Sequence, residues 1–216
     1  MRTYLYCEAG FVEKAQWLPN SWVNVVCPDS SDFKFLTETL KVPESFLNDI
    51  ADTDERPRTE TEGNWLLTIL RIPVQNAQSS IPYTTVPIGI ITNNEIIVSV
   101  CYHQTDMIPD FIEHTRRKGI EVRNKLDLIF RLIYSSAVWF PTMGNKPYPA
   151  AGRRHELTDH RCQQMCHART GRHLHHHAPV SFPRFHQTCF HLYHQIHSLS
   201  RHAPTSRWQQ EFRQDK

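Results

Sequence analysis

Beyond Phe140 the chain almost runs out of β-branched aliphatic residues, and this decides where a core can form. Residues 141–216 contain one Val (Val180) and one Ile (Ile196). A segment that poor in Val and Ile has little with which to build a core and offset the entropy of ordering it. Twelve of the 14 His lie in the same stretch, and the charge balance changes with them. Residues 1–140 carry 13 Lys and Arg against 18 Asp and Glu, a net charge of −5, whereas residues 141–216 carry 11 against 4, a net +7. The overall +2 describes neither part. Residues 1–140 are therefore expected to fold, and 141–216 to form a basic His/Arg/Pro-rich tail, disordered or non-native.

Six cysteines show no disulfide-like spacing: Cys7, Cys27 and Cys101 in the body, Cys162, Cys166 and Cys189 in the tail. The body cysteines sit in RTYLYC, WVNVVC and IIVSVC, where a reduced buried thiol acts as a small hydrophobe. A reducing compartment is expected. MRTYLYCEAG lacks the apolar run of a signal peptide and brings in Glu8 early. LDLIFRLIYSSAVWF is too short to span a bilayer and is interrupted by Asp127 and Arg131, so the chain is expected to be soluble, with no membrane span.

RTYLYC and SWVNVVCP read as strands separated by EAGFVEKAQWLPN. Ser31 or Asp32 can cap a helix through DFKFLTETL, and VPESFLNDIAD starts another with Pro43 in its first turn. DERPRTETEGNWLLTILRIPV passes from a charged loop into a strand. Trp65, Leu67 and Ile69 lie on one of its faces and Leu66 and Leu70 on the other, the pattern of a buried central strand. After PVQNAQSSIPY, two apolar runs flank Asn93-Asn94 in TTVPIGIITNNEIIVSVCYH. This predicts a tight hairpin through the tolerance of Asn for positive φ, with an irregular or edge-like start at Pro87 and Gly89. MIPDFIEHTRRKG reads as a helix ending near Gly119. A longer one follows, with Val122, Leu126, Ile129, Phe130, Ile133, Ala137 and Phe140 on one stripe. The order of elements predicts an α/β fold, a mixed parallel/antiparallel sheet covered by helices, with a long C-terminal helix and an irregular tail.

Three stretches, DIADTDERPRTETEGNWLLTILRIP, TTVPIGIITNNEIIVSVCYH and KLDLIFRLIYSSAVWF, together resemble the N-terminal cytoplasmic domain of the CorA family of magnesium transporters. Arg56, Pro57, Arg58 and Glu60 stand where that family often shows a similar RPK-E segment. The resemblance covers residues 1 to about 140 and implies an α/β/α sandwich whose last helix begins a stalk. In the family the stalk leads to two membrane helices, and five subunits surround a pore whose Gly-Met-Asn loop recognises hydrated Mg2+. The implied function is that of a cytoplasmic regulatory domain of a transporter for divalent cations, Mg2+ with cobalt and nickel as further candidates. The implied home is an inner or plasma membrane protein, a homo-oligomer (pentamer) when full length.

The pattern is broken at Pro141. Proline inside a helix removes a donor and clashes with the preceding turn, at about 3 kcal/mol, so the stalk is expected to stop at Phe140. Met143-Gly144-Asn145 has the pore motif's residue types in another order and place, and no ion-recognition role is assigned to it. The chain is thus expected to be cut off before the pore and not to conduct alone. The abrupt rise in His, Arg and Pro suggests a shifted reading frame for 141–216. Shifting the coding DNA by one or two nucleotides after codon 140 should then recover a Lys/Glu/Leu-rich helix and two apolar spans.

Other sites weigh less. Cys162, Cys166, His167, His173, His175, His176 and His177 supply zinc- or nickel-type ligands, but in no standard spacing and with no core to position them. Phe182, Phe185, Phe190, Tyr193 and Trp208 among arginines would give non-specific affinity for nucleic acid without base readout, and no nucleic-acid partner is expected. A soluble α/β domain with a metal- or nucleic-acid-binding basic tail is the alternative function. DTDE (52–55) and TETE (59–62) read as solvated acidic loops. The loop from Pro73 to Tyr83 holds no Asp or Glu, so no regulatory metal ligand is assigned. His103 and His114 lie near Asp106, Asp110 and Glu113, but this specifies no nucleophile or base. No GxSxG, P-loop or GxGxxG occurs, and no catalytic or cofactor-binding residue is named.

Overall fold

The computed structural model describes residues 1–75, 83–144, 191–192 and 195–196, with the backbone alone at 75, 83 and 137–144. Seven strands form one sheet: β1 (Arg2–Cys7), β2 (Phe11–Lys14), β3 (Trp22–Val26), β4 (Arg58–Glu62), β5 (Trp65–Gln75), β6 (Tyr83–Thr92) and β7 (Ile97–Cys101). Their order is β2-β1-β3-β7-β6-β5-β4. Only β3 and β7 run parallel; every other pair is antiparallel. This is the expected mixed sheet, and every residue of its parallel pair is buried. Between these strands Trp22 Nε1 donates to Ser99 Oγ (2.8 Å), which donates to Asn24 Oδ1 (2.8 Å), so the polar groups buried there are bonded.

Side chains alternate between two apolar layers. Val23, Val25, Trp65, Leu67, Ile69, Val98 and Val100 face one layer, together with Leu36, Leu40, Phe46, Leu47 and Ile50. Leu36 lies in a π-helical turn (Phe35–Thr39) that continues α1 (Ser30–Lys34), and Phe46 to Ile50 lie in α2 (Glu44–Ala51). Trp22, Leu70, Ile72, Ile88, Ile90 and Cys101 face the other layer, against α3 (Met107–Lys118) and α4 (Lys125–Gly144). The result is the α/β/α sandwich. The predicted two-faced burial of β5 holds, with Leu66 half-buried.

Several local expectations need correction. FVEK forms β2, an edge strand in hairpin with β1, rather than part of a loop. RTETE forms β4, paired with β5 from Arg58↔Ile69 to Glu62↔Trp65, so TETE is not a loop. The cap of α1 is Asp29, whose side chain accepts from the N–H groups of Ser31 and Asp32. Asp32 completes the reciprocal capping box three residues on. The Asn93-Asn94 hairpin is present, but neither Asn has positive φ. The turn is held instead by Asn93 Oδ1, which accepts from the N–H groups of Glu95 (2.9 Å) and Ile96 (2.8 Å). β5 and β6 extend to Gln75 and Tyr83, leaving only 76–82 of the expected loop, outside the described residues.

Pro87 does mark an edge-like start: Tyr83 to Pro87 pair with β5 alone, and β7 joins at Ile88. Gly89, expected to share that edge, is instead paired on both sides, with Ile69 and Val100. It is required for another reason: a Cβ there would sit 2.1 Å from Ile50 Cδ1, so α2 rests directly on the strand backbone. Cys7 and Cys101 are thiols outside any disulfide, and Cys101 Sγ donates to the Pro87 carbonyl. Cys27, expected to be a reduced buried thiol, is disulfide-bonded. It follows the end of β3 in a left-handed conformation (φ 47°), which turns it out of the strand and leaves it half-buried.

α4 begins at Lys125 and buries Leu126, Leu128, Ile129, Leu132, Ile133 and Ser136. It does not stop at Phe140: the helix passes through Pro141 to Gly144. Proline forfeits one hydrogen bond and crowds one turn, and here the helix continues for one more turn beyond that defect. The side chains of Ala137 and Phe140 lie outside the description. Of the tail, His191, Leu192, Gln195 and Ile196 are described as helical, and Leu192 and Ile196 are buried in the α4-side layer.

Candidate functional site

The acidic run that follows α2 is organised by two arginines. In β4, Arg58 and Glu60 stand opposite Ile69 and Leu67, which face the α2 layer, so both side chains project toward α2. There Arg58 Nη2 meets Asp49 Oδ2 of α2 at 2.8 Å and Glu60 Oε2 at 2.8 Å, while Nη1 pairs with Glu55. One guanidinium thus joins helix, loop and edge strand. Glu62 projects the same way, and its Oε2 accepts from Ser45 Oγ of α2 (2.9 Å).

Arg71 fixes the loop between α2 and β4. Its Nη1 donates to the carbonyls of Thr53 and Glu55 (2.9 Å each), its Nε to Thr85 Oγ1 (2.9 Å), and its Nη2 to the Thr85 carbonyl. DTDE is therefore an ordered turn, with Asp52 Oδ1 accepting from the N–H of Asp54 (3.0 Å).

The electrostatics follow from this sharing. Burial raises the Asp49 pKa above its ordinary value, and the adjoining Arg58 only partly reverses the rise, since Glu55 and Glu60 add to it. The upward direction sits beside a 2.8 Å contact with a cation; the contact identifies the pair as an ion pair, shared among too many anions to reverse the effect of burial. Burial opposes the charge of Arg58, but the Glu60 hydrogen bond and the charges of Glu55 and Asp49 outweigh it and raise its pKa. Burial lowers that of Arg71, against the pull of Asp54, Asp52 and Glu55. An arginine stays protonated through such shifts.

Chemically, this cluster already contains its cation. A metal ion at Asp49, Glu55 and Glu60 would have to displace Arg58. Among the described residues no group of three or more His, Cys, Asp or Glu is placed to hold a metal. The charged side chains of DTDE and TETE are thus fold elements. His103 is buried, His114 is exposed on α3, and Glu113 is paired with Arg116 and Arg117. The cysteine, histidine and aromatic residues considered in the tail, Cys162 to His177 and Phe182 to Trp208, lie outside the described residues, as does Asn145. Sequence reasoning missed the roles of Asp49 and Arg71. The signal for Arg71 was present, as a lone charge in the apolar run WLLTILRIPV, because a buried charge requires partners.

The family described as CorA-like Mg2+ transporter protein matches residues 19–137, from just before β3 into α4. The chain belongs to this family. No curated protein matches it. Among solved structures, the fold of this CorA-like chain is similar to the complete CorA magnesium transporter from Methanocaldococcus jannaschii, with TM-score 0.56 and 13% identity over 92% of this chain and 70% of that one. It is also similar to the ZntB cytoplasmic domain from Vibrio parahaemolyticus RIMD 2210633 (TM-score 0.54, 12% identity, 92% and 91% covered). A third similar structure is the full-length CmaX protein (TM-score 0.53, 12% identity, 92% and 72% covered). At these identities the similarity is one of fold. No helix among the described residues of the CorA-like chain is long and apolar enough to cross a membrane.

Proposed function

We propose that this CorA-like chain acts as the cytoplasmic regulatory domain of a divalent-cation transporter at the inner or plasma membrane, and that it does not conduct ions by itself. The observation that carries the reading is the family match running from β3 into α4, the 20-residue helix that follows the sheet among the described residues. In this reading α4 is the first part of a stalk joining a sensor to a pore, and the working assembly is a homo-oligomer, a pentamer when full length. Mg2+ is the transported and regulatory ion, with cobalt and nickel as further cargo.

The described carboxylates bear on how regulation would work. Asp49, Glu55 and Glu60 already share Arg58 as their cation, and in this reading a regulatory Mg2+ is held between copies, as a hydrated ion screening acidic surfaces. A cation bound in that way stabilises the assembled form over the monomer.

Two measurements on the full chain test the reading. Reconstituted into liposomes, it should give no Mg2+ flux above empty vesicles; flux would sink the claim that it lacks a pore. Sedimentation in excess Mg2+, against NaCl of equal ionic strength, should show a shift toward larger species. Identical profiles would sink the regulatory claim.

A further inference from the structure

The sheet face under α3 and α4 is closed at one end by residues from far along the chain. α3 packs on β2 and α4 on β5, the neighbour of the β4 edge strand. Leu192 and Ile196, each 1% exposed, join the cluster of Leu70, Ile72, Ile88, Ile90, Leu132 and Ile133 on this face. Both positions are helical, and both side chains are buried on this face. Thr59 of β4 stands opposite Thr68, whose neighbours along β5, Leu67 and Ile69, face the α2 layer, so Thr59 points to the α4 side. Its hydroxyl donates to Gln195 Oε1 at 3.3 Å, while Gln195 Nε2 lies 3.0 Å from His191 Nε2. The amide is thus held from both ends against the edge strand.

We propose that Leu192, Gln195 and Ile196 dock in cis on the β4 end of the α4-side face, making a part of the tail a structural strap of the folded unit. The occupant is this chain's own segment. Ile196, the one Ile of residues 141–216, serves as an anchor together with Leu192. Low aliphatic content argues against an independent core in the tail; it does not argue against a two-residue anchor on a core that already exists.

The test uses the full chain with Thr59→Cys/Gln195→Cys, a short bifunctional thiol cross-linker at dilute protein, and peptide mapping by mass spectrometry. A link between positions 59 and 195 within one chain is expected. Adding Leu192→Asp/Ile196→Asp should cut its yield about tenfold or more, because carboxylates resist burial at both anchor points. A 59–195 link found only between two chains would overturn the proposal in favour of a second copy on this face. No such link, or one whose yield ignores the aspartates, would show that the segment does not dock. If the aspartate variant fails to fold, the link mapped with Leu192 and Ile196 intact still decides between these outcomes.

Discussion

Removing the guanidinium at position 58 should leave three carboxylates facing one another, and the size of the penalty can be worked from their exposure. The side chain of Arg58 is 32% exposed, and those of Asp49, Glu55 and Glu60 are 34%, 23% and 45% exposed. Ion pairs this open to solvent contribute about 0.2–1 kcal/mol each, so the three together should contribute about 0.6–3 kcal/mol. Arg58→Ala is expected to lower unfolding free energy by that amount near neutral pH and low salt, measured by urea denaturation with tryptophan fluorescence. The loss should shrink in high salt, which screens both the native pairs and the repulsion left behind. It should also shrink on acidification. Asp49 has a raised pKa in the folded protein, and Arg58 is what holds it down. Without Arg58 the folded state binds protons more tightly, so the variant recovers relative to wild type as pH falls into the carboxylate range. Excess Mg2+ should stabilise the variant more than wild type, since a hard dication takes the place of the guanidinium. A deficit unchanged by salt and pH would refute the electrostatic account and assign the effect to packing of the arginine stem. No deficit at all would refute the claim that Arg58 ties α2 to β4.

Other perturbations address the scaffold that positions this cluster. Gly89→Ala pushes a methyl to 2.1 Å from Ile50 Cδ1. It should cost about 1–3 kcal/mol by overpacking, less about 0.5–1 kcal/mol regained from Ala's smaller backbone entropy. Pairing it with Ile50→Ala, which vacates the space, should give a double variant more stable than the sum of the singles predicts, and additivity would contradict the close approach. Asp29→Ala removes the cap of α1 and should cost about 1 kcal/mol at neutral pH. The Asp29 pKa is lowered by the Ser31 hydroxyl and then the Asp32 N–H. The cap's contribution is therefore present above the ordinary carboxylate range and lost as pH falls through the folded value, so the two denaturation curves should converge in acid. Parallel curves would point to a pH-independent role.

The strands with apolar faces were legible because burial leaves a period-two record. Trp65 to Leu70 divide between two core layers as their alternation predicts, and α3 ends at Gly119 in the left-handed conformation (φ 59°) that glycine allows. The Arg58 cluster was legible only as acidic runs beside an Arg-Pro-Arg. Its members come from a helix, a loop and a strand, and nothing in their spacing along the chain says that Asp49 and Glu60 share a cation. Pro141 misled for a related reason. A local penalty of about 3 kcal/mol is weighed against everything else ordering a long helix, and that sum is not visible at the proline.

The two strands missing from the sequence reading, β2 and β4, are the two edges of the sheet, and this has one physical cause. An edge strand presents unpaired N–H and C=O groups, which invite another strand to add on unless charged side chains discourage it. β2 exposes Val12 and Glu13, and β4 exposes Glu60, Thr61 and Glu62. The residues that protect an edge are the same ones that erase the apolar alternation by which a strand is recognised. At β4 the charges also serve a second purpose, since Arg58 and Glu60 turn the protected edge toward Asp49 and bind it to α2. A charged run of five residues between a helix and a strongly apolar strand is therefore as well read as an edge strand as a loop. The Gly63-Asn64 pair that separates it from Trp65, with Gly63 at positive φ (60°), is the turn signal that favours the strand.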